Sequence, residues 1–359
     1  MEQNTKEKEI IDKILEKNPE YKLGKKLGKG GFGFVVEIKH KNKIYAGKLI
    51  KKNKNESINE ADLITNFKGP GIVKVIKILS EKEGNSINNH LIIMEKAQLR
   101  SLRDLNKDLH FHNIFKLIFK SPFELVGNNL IRFYARQIIK GLELLDRSNY
   151  SHFDIKPVNI LIFTNMTLKI TDFGLLRNPE KLKDEKNMFF IPGGTQGYLT
   201  PEYYLYNHLI DIKDAKKQDY FSLGVTLFEL KYGEEMLNYI EYNDKAITAD
   251  LIIDLIQKAM DEIKSKKLSD KGFIDFLCSL IQYRPEDRPN FEKIYRNKWL
   301  HKNSEEIQNI WEVNQFDDKK ILLEIDKSDY LIDKKKYLDN NRNNEDNRRI
   351  SRHKFIFND

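Results

Sequence analysis

The stretch from Ser151 to Gly174 constrains the fold of this chain more than any other. Asp154, Lys156 and Asn159 fall within six residues of one another, and Asp172 follows Asp154 by eighteen. The apolar runs between them are too short for helices and are typical of buried strands. Two such strands joined by a short turn would form a hairpin that brings the polar side chains together. Carboxylate and amide oxygens are ligands that suit Mg²⁺ and its phosphate complexes.

At these residues the sequence resembles the eukaryotic protein kinase family. The family's catalytic loop, His-Arg-Asp-Leu-x-x-x-Asn, reads His152-Phe153-Asp154-Ile155 and ends at Asn159, and its Asp-Phe-Gly motif is Asp172-Phe173-Gly174. The resemblance implies an α+β fold of two lobes. The N-lobe would be small and β-rich with one main helix, and the C-lobe larger and mostly helical. ATP and Mg²⁺ are the implied cofactors.

The same resemblance assigns a role to each polar residue of this stretch. Asp154 would take the proton of the substrate hydroxyl, and Lys156 would stabilise charge on the γ-phosphate. Asp172 and Asn159 would each hold a magnesium ion.

A glycine-rich segment, Leu27 to Val36, reads as strand, glycine turn and strand. In a dinucleotide-binding fold the glycines would open a helix, whereas here β-branched and aromatic residues follow them. An ordinary glycine hairpin fits these residues equally well. The resemblance implies instead a loop whose backbone N–H groups lie over phosphates, built from Leu27, Gly28, Gly30, Gly31 and Gly33.

Lys48 lies fifteen residues after Gly33, in the next alternating run. An isolated lysine on a strand is usually a surface residue. The resemblance implies that this one contacts the α- and β-phosphates and pairs with a glutamate of the next helix. Glu60 matches that glutamate, and Glu56, one turn earlier, is its rival.

Further apolar positions match the family's adenine pocket. The resemblance makes Met94 the gatekeeper and sandwiches the adenine ring between Val35, Ala46 and Leu161. It assigns the adenine hydrogen bonds to the Glu95 carbonyl and the Ala97 amide. The apolar residues would lie in a core under any interpretation, so they do not discriminate.

The helical spacing of Leu130 to Leu145 predicts the long helix that carries the catalytic loop. Residues 100–129 match the family least, and we interpret them as a helix plus an insertion. His110 and His112 lie in this insertion, but no cysteine or acidic cluster accompanies them, so a metal site is not expected there.

Three later motifs extend the resemblance. Gly194-Thr195 together with Lys156 is similar to the serine/threonine branch of the family, which implies a protein substrate with a Ser or Thr acceptor. Asp219 matches the aspartate that anchors the catalytic-loop backbone. Arg288 is expected to pair with Glu202 in a buried bidentate contact.

One departure concerns regulation. Phe153 replaces the arginine that, in many kinases, helps to bind a phosphate on the activation segment. Residues 175–194 contain no Ser, Thr or Tyr. The hypothesis is a kinase that needs no phosphate on this segment.

Two rival functions share the fold. A pseudokinase that acts as a scaffold usually lacks Lys48, Asp154 or Asp172, and all three are present. Kinases of small molecules or lipids generally lack the motifs around Thr195, Asp219 and Arg288.

The remaining sequence sets the domain organisation. We expect a leader helix in residues 1–20 and a kinase domain in 21–301, with an N-lobe of 21–96 and a C-lobe of 97–301. Residues 302–359 would form a tail that is partly helical and then disordered.

The net charge of +8 comes from scattered charges of both signs, so neither nucleic-acid binding nor membrane insertion is expected. A single cysteine and no visible signal peptide favour the cytoplasm or the nucleus. The sequence does not indicate an oligomeric state.

Overall fold

The fold was examined in a computed structural model. It describes residues 2–30, 33–51, 63–65, 67–83, 86–107, 128–163, 167–206, 208–232, 254, 257–258, 261 and 270–302. Several predicted features therefore lie outside the described residues: Gly31, Glu56, Glu60, His110, His112, most of the insertion in 100–129, and the tail from 303 onward.

A five-stranded antiparallel sheet forms the N-lobe, in the order β1-β2-β3-β5-β4. Its strands are β1 (Tyr21–Gly30), β2 (Gly33–His40), β3 (Lys43–Lys51), β4 (Val75–Glu83) and β5 (Ser86–Glu95). The glycine-rich segment joins β1 to β2, with Gly30 opposite Gly33. The two predicted strands that flank the glycine turn are thus confirmed, while residues 31 and 32 lie outside the described residues.

The alternation of side chains divides this sheet into two apolar faces. Helix α1 (Glu2–Glu16) packs Ile11, Ile14 and Leu15, all buried, on one of them. The strand residues beneath it are Phe34, Val36, Ile38, Leu49, Leu79, Leu91 and Ile93. The other face carries Ala46, Ile92 and Met94 and joins the core shared with the C-lobe. Helix α1 therefore completes the N-lobe core on the side away from the C-lobe.

Helices are the main secondary structure in the described residues of the C-lobe. They are α2 (Leu102–Lys107), α3 (Asn128–Arg147), α4 (Pro179–Leu182), α5 (Pro201–Leu205), α6 (Lys217–Tyr232), α7 (Lys271–Leu280), α8 (Phe291–Tyr295) and α9 (Lys298–His301). Helix α3 covers the predicted Leu130–Leu145, and thirteen residues of α6 in succession, 218–230, are buried. A helix that is buried all round belongs to the centre of a domain. No helix in these described parts of the chain is both long and apolar enough to span a membrane.

Two small two-stranded antiparallel sheets lie on the C-lobe. Strands β6 (Ile160–Ile162) and β7 (Leu168–Ile170) form the antiparallel pair that the two short apolar runs predict. Strands β8 (Met188–Phe190) and β9 (Leu209–Asp211) pair farther along the chain. The first of these sheets carries Asn159 and Thr171 just outside its strands, which brings the two halves of the 151–174 stretch side by side.

Candidate active site

The backbone at the start of the catalytic loop is fixed by Asp219, which lies in the first turn of α6. Its carboxylate accepts the N–H groups of His152 at 2.6 Å and Phe153 at 2.8 Å. Phe153 has a φ of 63°, a conformation that a bulky residue rarely adopts without such support. Burial raises the pKa of Asp219 to about 7, against the two N–H bonds that favour its ionised form. The anchoring role predicted for Asp219 is confirmed.

His152 connects this loop to the segment before Asp172. Its Nε2 lies 3.0 Å from the carbonyl of Thr171, and its Nδ1 lies 3.2 Å from the backbone nitrogen of Asp154. The carbonyl needs a donor and the N–H an acceptor, so the ring is neutral with its proton on Nε2. Burial lowers the pKa of His152, in agreement with a neutral ring. The ring also meets the edge of Phe173, which is fully buried.

Asp154 lies at the centre of a compact hydrogen-bond network. One carboxylate oxygen accepts from Lys156 Nζ at 2.7 Å and from Asn159 Nδ2 at 2.9 Å. The other accepts the hydroxyl of Thr195 at 2.6 Å, and Lys156 also donates to that hydroxyl. The carboxylate is therefore already oriented to accept a proton from an alcohol that lies beside an ammonium group.

Asp172 and Lys48 form the second half of the site. Lys48 Nζ donates to the Asp172 carboxylate at 2.7 Å, and the Lys48 side chain is almost fully buried. The N–H of Thr171 bonds to the carbonyl of Asn159 at 2.9 Å, which places Asp172 beside the catalytic loop. The site thus gathers two carboxylates, two ammonium groups and one amide from two lobes.

The oxygens in this group suit the magnesium that the family implies. The Asn159 amide nitrogen bonds to Asp154, which leaves its amide oxygen as the atom able to bind a cation. Asp172 supplies a partly exposed carboxylate on the neighbouring segment. Mg²⁺ is commonly held by one or two protein oxygens together with substrate phosphates, so this donor set fits.

The strand register places several of the residues predicted to bind a nucleotide on one face of the sheet. Gly28, Val35 and Lys48 lie opposite one another on β1, β2 and β3, so their side-chain positions share a face. A Cβ atom on Gly28 would meet no atom within 4 Å, so the protein's own packing does not require glycine there. Open space at Gly28, on the face that also carries Lys48, fits the predicted loop over phosphates.

The remaining residues predicted to bind the nucleotide lie along the same face or at its border. Ala46 pairs with Met94 across β3 and β5, and both belong to the shared core, against which Val35 and Leu161 pack. Leu27 is more exposed, at 39%.

The last residue of β5 and the residue after it form two ion pairs that the sequence analysis missed. The Glu95 carboxylate accepts the Lys74 N–H and the Lys169 ammonium, each at 2.6 Å. Next to it, Lys96 pairs with Glu37 of β2 at 3.0 Å. Glu95 therefore connects the N-lobe to β7, the strand that leads to Asp172. Only the position of Lys169, three residues before Asp172, could have hinted at this contact.

Two more features support the loop from the C-lobe side. Arg288 binds Glu202 through two parallel bonds of 2.7 and 2.6 Å, and both residues are buried, which confirms the predicted pair. The Phe153 ring stacks on Phe189, with centroids 5.5 Å apart. Their apolar cluster also contains Ile191, Ile210 and Ala215.

Comparison with known proteins gives a consistent result. The family model "Protein kinase domain" matches residues 21–300. Smooth-muscle myosin light chain kinase of Gallus gallus is 27% identical over 80% of this chain and 14% of its own length. CBL-interacting protein kinase 26 of Oryza sativa is 26% identical over 79% of this chain and 53% of its own length. Aurora kinase of Saccharomyces cerevisiae is 29% identical, over 79% of this chain and 70% of its own length.

The first two relatives are thus much longer than the segment they share with this protein. The family match, residues 21–300, contains both halves of the site described above. On the match of residues 21–300 and the two-lobed architecture, this chain belongs to the protein kinase family.

Proposed function

We propose that this protein transfers the γ-phosphate of Mg-ATP to serine or threonine hydroxyls of proteins. One observation carries the proposal: the Asp154 carboxylate accepts the hydrogen bond of an alcohol, Thr195, while Lys156 contacts both groups. A substrate hydroxyl that took the place of Thr195 would meet a base and a cation in the same arrangement. Phosphoryl transfer requires positioning and charge compensation from the protein, and this arrangement provides both.

We infer the roles of the residues from the family resemblance, and the contacts described above support them. Asp154 accepts the proton of the attacking hydroxyl, and Lys156 stabilises the charge that develops on the transferred group. Asp172 and Asn159 hold magnesium, which when bound neutralises phosphate charge. Lys48 binds the α- and β-phosphates, and Glu60 is proposed to orient it.

The adenine end of the substrate is assigned by family resemblance. The Glu95 carbonyl and the Ala97 amide bind the ring, and Leu27, Val35, Ala46 and Leu161 enclose it. Gly28, Gly30, Gly31 and Gly33 form the loop over the phosphates.

Substitution Asp154→Asn tests the proposal. It should lower the rate of transfer to a generic basic protein about 10²- to 10⁴-fold while leaving ATP affinity, measured by calorimetry, unchanged. The matched control is Asp275→Asn, an exposed aspartate of α7, which should behave as wild type. A wild-type protein that binds ATP and phosphorylates neither itself nor any protein would favour a scaffold instead. Transfer only within a small-molecule panel would favour the lipid or metabolite class.

We further propose that activity requires no phosphate on residues 175–194. Phe153 and Phe189 pack against each other next to the catalytic loop, within an apolar cluster. Residues 175–194 contain no Ser, Thr or Tyr that could carry a phosphate. Phosphatase treatment of the purified protein should leave its specific activity unchanged. A large loss of activity that maps to residues 175–194 would contradict this part of the proposal.

A further inference from the structure

The first two strands of the N-lobe sheet and the residues that flank them are strongly basic. Residues 17–43 contain eight lysines and two glutamates, a net charge of +6. Four exposed lysines lie where β1 begins and where β2 turns into β3, next to a half-exposed isoleucine. We call this group the basic strand end: Lys22, Lys39, Lys41, Lys43 and Ile44.

The strand register places like charges together here. Lys22 lies directly opposite Lys39, and Lys39 lies opposite Ile44. Directly opposed like charges destabilise an antiparallel pair. Within the described residues none of the four lysines forms an ion pair, and the nearby Glu37 binds Lys96 instead. The four lysines therefore add no stability to the fold through ion pairs among the described residues. An anionic partner would give them the opposite charge that they lack.

The same chain contains a segment of opposite character. Residues 304–333 have nine acidic residues against three lysines, a net charge of −6. Twelve more of these thirty residues are aliphatic or aromatic, and at Lys334 the sequence becomes basic. Charges of both signs are scattered over the chain as a whole, but residues 17–43 and 304–333 each carry a local excess of one sign. Such local blocks differ from the even mixture that is enough to keep a surface soluble.

The acidic segment is tethered close enough to reach the basic strand end. Helix α9 ends at His301, so the segment begins only a few residues beyond the C-lobe. A domain of this size has a radius of gyration of about 19 Å and is about 50 Å across. An extended chain gains roughly 3.4 Å per residue, so about fifteen residues would span it. Thirty residues can therefore cross the domain and still provide a bound stretch.

We propose that residues 304–333 dock on the basic strand end of their own chain, with their carboxylates on the four lysines and apolar side chains against Ile44. The site adjoins the segment between the lobes, because Glu37 of β2 binds Lys96 and Tyr45 of β3 lies opposite Glu95. A docked segment would therefore join the N-lobe to the C-lobe outside the active site.

Zero-length carbodiimide cross-linking tests this contact, since it joins lysine to carboxylate only where the two touch. The full chain is treated as a mixture of ¹⁴N- and ¹⁵N-labelled protein at low salt and analysed by mass spectrometry. We expect cross-links from Lys22, Lys39, Lys41 or Lys43 to acids in 304–333, with both ends carrying the same isotope.

A neutralised variant makes the test quantitative. The changes Asp317→Asn, Asp318→Asn, Glu324→Gln and Asp326→Asn should lower the yield of the remaining cross-links about fourfold or more, and 0.5 M salt should do the same. The matched control neutralises four exposed acids elsewhere: Glu180→Gln, Glu185→Gln, Glu286→Gln and Glu292→Gln. It should leave the yield unchanged.

Three results would overturn the proposal. Cross-links of mixed isotope only would assign the contact to a second copy of the chain. If the basic strand end forms no cross-link to residues 304–333, its lysines would be assigned to a separate acidic partner instead. If the cross-link yield falls equally in the control variant, the loss in the neutralised variant would reflect only the change in net charge.

Discussion

The catalytic loop and the segment that follows Gly174 meet at Phe153, yet opposite kinds of contact hold them. The loop backbone is fixed by buried polar groups, Asp219 and His152, each with defined hydrogen-bond partners. The side chain of Phe153 is fixed by an apolar stack on Phe189. Buried hydrogen bonds specify one geometry but depend on protonation, whereas apolar packing is less directional and carries no charge. The comparison indicates that the catalytic loop requires one defined backbone geometry, whereas the segment after Gly174 requires only stable packing.

The largest effect should come from Asp219→Asn, which tests the polar side of this comparison. An amide accepts through one oxygen only, so one of the two buried N–H groups at His152 and Phe153 loses its partner. We expect the free energy of unfolding to fall by about 2–4 kcal/mol and kcat/KM to fall more than tenfold. Chemical denaturation and steady-state kinetics measure these quantities. A variant with wild-type kcat/KM would show that the loop keeps its geometry without this anchor.

The next largest effect tests the apolar side. Phe189→Ala removes a buried ring and should cost about 3 kcal/mol of stability, because a cavity remains beside Phe153. Its neighbour Phe190, 61% exposed, provides the matched control, and Phe190→Ala should change stability by less than about 0.5 kcal/mol. Equal losses of stability in the two variants would show that the stack of Phe153 on Phe189 does not hold the segment after Gly174 in place.

The pH dependence separates the two kinds of contact. Burial lowers the folded pKa of His152 below its usual 6.5, so the unfolded chain binds more protons as the pH falls. The stability that His152 contributes should be complete above about pH 7 and decrease below pH 6.5, by about 1 kcal/mol per pH unit. Asp219 acts in the opposite sense, because its raised pKa of about 7 removes stability as the pH rises from 4 to 7.

The two titrations are separated by comparing wild type with His152→Asn. The difference in their free energies of unfolding should shrink between pH 7.5 and 5.5 if His152 must stay neutral. The same comparison between Phe189→Ala and wild type should give a difference that does not depend on pH. A constant difference for His152→Asn would indicate that its ring is protonated without loss.

The smallest effect is expected where polar contacts are only half buried. The Glu95–Lys169 pair has side chains that are 24% and 21% exposed, so solvent screens it. Lys169→Gln should weaken ATP binding by no more than about fivefold, as expected for a pair worth less than about 1 kcal/mol. The control Lys183→Gln alters a more exposed pair and should have no effect. A much larger loss of ATP affinity, measured by calorimetry, would show that this pair contributes as strongly as the buried polar contacts of Asp219.

What the sequence reveals depends on the separation of the partners along the chain. Asp154, Lys156 and Asn159 share one short loop, so their spacing alone indicates that they act together. Glu95 and Lys169 are 74 residues apart, and no local pattern connects them. The loss of an arginine at Phe153 was visible in the sequence, but its stack on Phe189 was not, because packing partners are set by the tertiary fold.

The N-terminal helix gives the same lesson. The spacing of Ile10, Ile11, Ile14 and Leu15 predicts a helix, and the structure contains one. Its docking on the sheet could not be predicted, since an apolar stripe shows that a helix is covered without showing by what.

This docking has a practical consequence for anyone producing the protein. The family match starts at residue 21, but the sheet face under α1 belongs to the folded core. A recombinant protein that begins at the family boundary would leave Val36, Leu91 and Ile93 facing water, a patch of the kind that causes aggregation. The smallest well-behaved unit for expression and crystallisation therefore includes the first sixteen residues.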